Sequence, residues 1–218
     1  RLNATDIACS LIDSTILQPA VAAIDETLAT QPTVAASMRE VLGERYRELG
    51  MLDKALPLLT EALATMRAQL GKEHKVTLSY IESLCSLHHD RGDVEAERAL
   101  CEEALALGRS TLGELAPFTL RAINNMGLSL RSRGQFAAAE PWYREALAKM
   151  RQVFGETDER TLTVKNNLGY LLGELGKLEE AESLLRLAYA ECRATLGDEH
   201  TETLSTQNNL AIVLEDVG

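Results

Sequence analysis

Aromatic side chains are scarce in this sequence, at 4% of residues, and its 218 residues include only 5 prolines and 1 tryptophan. Sheets draw on aromatic and β-branched residues, so the shortage disfavours an all-β architecture. Ala, Leu and Glu are plentiful instead, and these side chains lose little rotamer freedom in a helix. Basic residues are also in deficit, 22 against 33 acidic ones, for a formal charge of −11. Nucleic acid and anionic membranes both need clustered Lys and Arg, so neither is expected as a partner. No stretch reads as the roughly 20 apolar residues of a membrane helix, and the start lacks the charged-then-apolar pattern of a signal peptide. The four cysteines, Cys9, Cys85, Cys101 and Cys192, include no CxxC pair, which points to reduced core thiols in a cytoplasmic protein. The sequence begins at Arg1 rather than Met and is read as a piece of a longer protein.

What the sequence does have is a period. Gly71, Gly113, Gly155 and Gly197 recur every 42 residues, and Gly50, Gly92, Gly134, Gly176 and Gly218 form a second register with the same step. Thr77-Leu78, Thr119-Leu120, Thr161-Leu162 and Thr203-Leu204 fall in phase, as do Leu42, Leu84, Met126, Leu168 and Leu210. Ala62, Ala104, Ala146 and Ala188 make a column of small residues. Between the glycines, apolar residues stand three or four apart, as along Leu178, Ala181, Leu185 and Ala188, which places them on one helix face. The glycines fall where a helix end needs a left-handed residue. Each unit is thus predicted as helix A, a tight turn and helix B. One hairpin cannot bury both apolar faces, so units must stack, and the alanine column lets helices approach closely. The fold class is all-α.

The Gly-x-apolar-x-x-Ala pattern and the small helix B position resemble the tetratricopeptide repeat family. The period and the run Gly197–Ala211, with its Asn208-Asn209, resemble the kinesin-light-chain subtype. The resemblance spans about residues 30–218 and implies a right-handed superhelical solenoid of antiparallel helix hairpins. Units are placed at 30–71, 72–113, 114–155 and 156–197, with 198–218 supplying helix A of a fifth, truncated repeat. Residues 1–29 are placed as a helical cap or degenerate repeat, split by Pro19, which lacks the N–H a helix interior needs. The stretch Ile16–Val34 is similar to segments leading into such arrays in bacterial serine/threonine kinases. The second unit departs from the pattern, with Glu82-Ser83 in place of Asn-Asn and Glu97 where the others carry Ala55, Ala139 and Ala181. That Glu works against tight packing there.

The family lines its concave groove with A helices, which implies columns at Glu40, Glu82, Asn124, Asn166 and Asn208, and at Val41, Ser83, Asn125, Asn167 and Asn209. Further along lie Leu128, Tyr170 and Ile212, then Arg131. Asn is a mediocre helix former, so three Asn pairs in mid-helix call for a local cause. Two readings stand side by side. The amides hold an extended peptide backbone as donors and acceptors, or they bond the neighbouring A helix and fix the angle between units. Glu40, Glu44 and Glu82 make one part acidic, Arg121 and Arg131 add positive charge, and Leu128, Tyr170 and Ile212 are apolar. A protein or peptide with a basic stretch and an apolar anchor is the implied partner. The lysines of the clamp that relatives use for acidic C-termini are missing.

Signals of catalysis are weak. His74 and His200 share one turn position in Gly-x-Glu-His, where a turn hydrogen bond explains them; His88 falls in the core column and His89 on the groove side. No His-x-x-x-His spacing or clustered phosphate-binding glycines occur. No cofactor, metal or catalytic residue is assigned. Cys85 and Cys101 occupy core positions of one hairpin and fall near each other. The expected function is a protein-interaction scaffold. The alternative is a self-associating array in a larger signalling protein, forming a homodimer through the last A helix and its Leu204, Leu210 and Leu214.

Overall fold

The protein is described by a computed structural model over residues 4–217; residues 1–3 and Gly218, the last glycine of the second register, lie outside the described residues. Gly50, Gly92, Gly134 and Gly176 have φ of 72°, 72°, 69° and 70°, and Gly71, Gly113, Gly155 and Gly197 have φ of 86°, 92°, 93° and 93°. Only glycine enters this left-handed region without steric cost, so the two registers punctuate the chain into helices. Among the described residues there is no strand.

The chain gathers into two compact units, Arg1–Leu107 and Gly108–Gly218. The first contains α1 (Ala4–Ile12), a π-helical turn (Asp13–Leu17), α2 (Gln18–Thr27), α3 (Pro32–Glu48), α4 (Leu52–Leu70), α5 (Lys75–Arg91) and α6 (Val94–Leu107). The second begins with a π-helical turn (Gly108–Leu112) and continues through α7 (Pro117–Ser132), α8 (Phe136–Phe154), α9 (Glu159–Glu174), α10 (Leu178–Leu196) and α11 (Thr201–Val217). Successive helices pack as hairpins, α3 on α4 and α5 on α6 in one unit, α7 on α8 and α9 on α10 in the other, with α11 against α9 and α10.

Small residues set the spacing. Ala62, Ala146 and Ala188 are fully buried and Ala104 nearly so, as are Ala55, Ala139 and Ala181 on the same helices. A second set of small residues sits on the A helices. A Cβ at Gly43 would lie 2.6 Å from Leu59, at Gly127 3.0 Å from Tyr143, and at Gly169 2.6 Å from Leu185. Each of these three hairpins thus closes a large helix B side chain onto a bare helix A backbone. Glu97 does not open the second hairpin: it is 3% exposed, with Oε1 3.0 Å from Nδ1 of His89. His88, expected in the core column, is only partly buried, its Nδ1 3.0 Å from Asp93.

Tyr143 is fully buried, and burial pushes its phenol up to about 12. Its hydroxyl has no hydrogen-bond partner. In the unfolded chain the phenol ionises near 10, so its contribution is complete below pH ~10 and is lost as pH rises through about 12. We expect melts recorded from pH 9 to 12 to show a falling midpoint. Tyr143→Phe should weaken that fall while leaving the neutral-pH midpoint unchanged or raised, because no hydrogen bond is lost.

Two expectations for the N-terminal segment need correction. Pro19 does not split it: the π-helical turn shifts the hydrogen-bond register just before Pro19, which then occupies the first turn of α2, where a missing N–H is tolerated. The expectation that no stretch approaches a membrane span also fails. Ile7–Thr27 forms 21 helical residues long and apolar enough by length and composition, because Asp13 is the one charged residue between Ile7 and Ile24. Its inner face is held by Leu17, Ile24 and Asp13, all buried. The Asp13 carboxylate accepts from Tyr46 Oη at 2.8 Å, Gln18 Nε2 at 3.0 Å and the Lys54 ammonium. The Lys54 bond above all keeps that carboxyl below its ordinary range.

Candidate functional site

The Asn pairs lie on α7, α9 and α11, all in the second unit. Asn166 is buried, Asn124, Asn125, Asn167 and Asn209 are half-buried, and Asn208 is exposed. The amides form stitches between consecutive A helices. Asn167 Nδ2 donates to Asn124 Oδ1 at 3.3 Å, and Asn209 Nδ2 donates to Asn166 Oδ1 at 2.8 Å, each across 43 residues. Asn166 in turn donates to Glu202 Oε1 at 3.0 Å and Ser205 Oγ at 3.2 Å. Thr163 completes that cluster, donating to Glu202 Oε2 at 3.0 Å. Of the two readings of the ladder, bonding between A helices is therefore present. The first unit carries the same device in other residues. Ser83 Oγ donates to Glu40 Oε1 at 3.0 Å and Tyr80 Oη to Ser37 Oγ at 3.2 Å, again 43 residues apart.

Donation and acceptance leave capacity on specific atoms. Asn125 has a 3.5 Å contact from Asn124 Nδ2 through its oxygen, which leaves its Nδ2 unengaged in these stitches. Asn167 and Asn209 donate through Nδ2 in the stitches, which leave their carbonyl oxygens unused.

The neighbouring residues form a second feature. Arg131 lies over the Tyr170 ring at 5.0 Å, a cation–π pair between α7 and α9. The Tyr170 hydroxyl bonds Glu174, and this bond together with burial raises its pKa. Leu128 is half-buried on α7, while Ile212 is 46% exposed on α11. Arg121 is exposed, 6.0 Å over its own helix's Phe118. Glu82 is half-buried on α5 of the first unit, so the sequence-derived site divides between the two units. In the first unit Glu44 is paired with Arg47 at 2.9 Å, and Arg47 with Asp90 at 2.7 Å. Of the acidity read there from sequence, the charge of Glu44 is thus balanced within the unit.

Sequence reasoning missed Lys165, which is fully buried in the column of Ile81 and Ile123. It also missed Thr163, Glu202 and Ser205 at the stitch. Their bonds span 36 and 39 residues rather than one period plus one, so the repeat spacing gave no signal for them. His74 and His200 cap helices, accepting from Val76 N at 3.3 Å and Glu202 N at 3.2 Å, as Asp158 does from Arg160 N at 3.0 Å. Among the described residues, no group of three or more His, Cys, Asp or Glu is arranged to hold a metal.

No curated protein matches the chain significantly. Among solved structures, a kinesin-light-chain-like protein of Podosopora anserina with nearly identical TPR-like repeats aligns at TM-score 0.72 and 24% identity, covering 86% of this chain and 89% of that one. BtubC (BKLC) from P. vanneervenii aligns at TM-score 0.77 and 21% identity, covering 100% of this chain and 85% of the other. These likenesses establish a TPR-like fold. The family model described as Tetratricopeptide repeat matches residues 77–152 and 160–218. With well over half of its residues inside that match, the chain belongs to the tetratricopeptide repeat family.

Proposed function

We propose that the chain is a protein-interaction scaffold holding an extended peptide or partner segment along α7, α9 and α11. Tetratricopeptide repeats mediate protein–protein binding, which carries the general role. The observation that carries the finer reading is the division of labour among the asparagines. Asn124 and Asn166 accept stitches, so the N–H groups of Asn125 and Asn208 and the oxygens of Asn167 and Asn209 are left for a backbone running past them. An apolar anchor sits against Leu128, Tyr170 and Ile212, and exposed Glu215 with half-buried Glu202 favours a partner with a basic stretch. The role assigned is binding without catalysis, in the cytoplasm.

Peptides selected from a random display library on the immobilised chain provide the test. Asn125→Ala with Asn208→Ala should weaken them roughly 5- to 30-fold, about one hydrogen bond each, with the thermal midpoint unchanged. Undiminished binding by the double variant would sink the reading.

A second reading, self-association in a larger signalling protein, is favoured by Leu204, Ile212 and Leu214 on α11, which are 47%, 46% and 36% exposed. Leu210, expected on that open face, is buried at 8% because α9 and α10 cover it. The kinase linkage of that reading rests on the resemblance of residues 16–34. Light scattering across concentration separates the two, since a strict monomer removes the second.

A further inference from the structure

The second hairpin solves its closest contact differently from the others. Where three A helices carry Gly43, Gly127 and Gly169 beneath Leu59, Tyr143 and Leu185, α5 carries Cys85 and α6 carries Cys101. A side chain has appeared on one helix and the facing one has shrunk, so the volume is kept. The Sγ atoms lie 2.6 Å apart, 16 residues apart in sequence, at 5% and 2% exposure. A disulfide needs about 2.05 Å, so only a small adjustment of side chains separates the pair from a bond. Both are free thiols here.

We propose that Cys85 and Cys101 are a reversible redox-modification site, oxidised by hydrogen peroxide to a disulfide that ties α5 to α6. The less buried Cys85 attacks the peroxide oxygen, giving a sulfenic acid and water. The Cys101 sulfur then displaces the hydroxyl from Cys85 sulfur, and its proton leaves with that hydroxyl as a second water. Two thiols and one peroxide become one disulfide and two waters. A dithiol reverses the reaction by exchange. The bond to Cys101 and burial both raise the Cys85 thiol, so little thiolate is present at rest. Oxidation therefore waits on opening of the hairpin and is slower than at an exposed thiol. The lock reaches further than α6, because Ser83 of α5 is stitched to Glu40 of α3.

The folded full chain is treated with hydrogen peroxide, alkylated and digested with trypsin. The expected product joins fragment 76–91 to fragment 99–109, and thiol counting shows two lost per chain. The thermal midpoint of the oxidised chain should rise by about 5–10 °C and return with dithiothreitol. Recovery of both cysteines as free thiols from the folded chain, or cross-links only to Cys9 or Cys192, overturns the proposal. So does an equal rise in a Cys85→Ala/Cys101→Ala double variant, which keeps the test valid if single variants fold poorly.

Discussion

Glu191→Ala is expected to destabilise the second unit by roughly 3 kcal/mol, whereas the double variant Lys165→Ile/Glu191→Leu should leave it within about 1 kcal/mol of the parent or raise its stability. The contrast follows from the surroundings of one ammonium. Lys165 has no exposed surface, yet its Nζ donates to Glu191 Oε2 at 2.6 Å and to the Glu156 backbone oxygen at 3.1 Å, with Glu156 Oε2 at 2.8 Å. Removing Glu191 leaves a buried cation with Glu156, which is 56% exposed and less confined, as its remaining carboxylate. Removing both partners instead takes away the desolvation cost along with the attraction, and isoleucine at 165 restores the residue type of Ile81 and Ile123 in that column. Chemical denaturation of the two variants decides the matter. Equal losses would mean that the pair is net stabilising. No loss from Glu191→Ala would mean that water reaches the ammonium.

The other large effect is expected at Gly169. A Cβ there meets Leu185 Cγ at 2.6 Å and Cδ2 at 2.7 Å, and Leu185 is fully buried with no route outward. Gly169→Val should cost about 3 kcal/mol by overpacking. Leu185→Ala alone should cost about 2–5 kcal/mol through the cavity left behind. Combined, the two should cost less than their sum by about 0.5–3 kcal/mol, because each removes the other's fault. Strict additivity in the measured cycle would show that the glycine does not exist for the leucine. Gly127 under Tyr143, with its nearest contact at 3.0 Å, should tolerate the same change better.

The fold was legible because its cause is local. A left-handed residue at each helix end leaves a glycine that few other residues can replace, and a fixed period makes those glycines visible across the whole sequence. The alanine column was legible for a similar reason, since a close approach admits only small side chains. The asparagine ladder was legible by residue and less so by role. Asn124 and Asn167 belong to different columns in the sequence, and only the packing of one A helix against the next brings them together. Lys165 was hidden because periodicity assigns a face, and one charged residue in an apolar column reads as an exception rather than as a buried pair. Pro19 was misread because a π-helical turn depends on the helices it packs against, which no local pattern records.

The stitches run across 43 residues in a chain whose period is 42. A bond that spans one period plus one residue survives the excision of a whole period. Removing residues 156–197 would set the Asn209 amide against the Asn124 oxygen at that same offset, donor to acceptor. Shortening or lengthening by whole units is then a change that needs no repair at the seam. The length of the row of A helices is thereby free to vary while its internal joints stay the same.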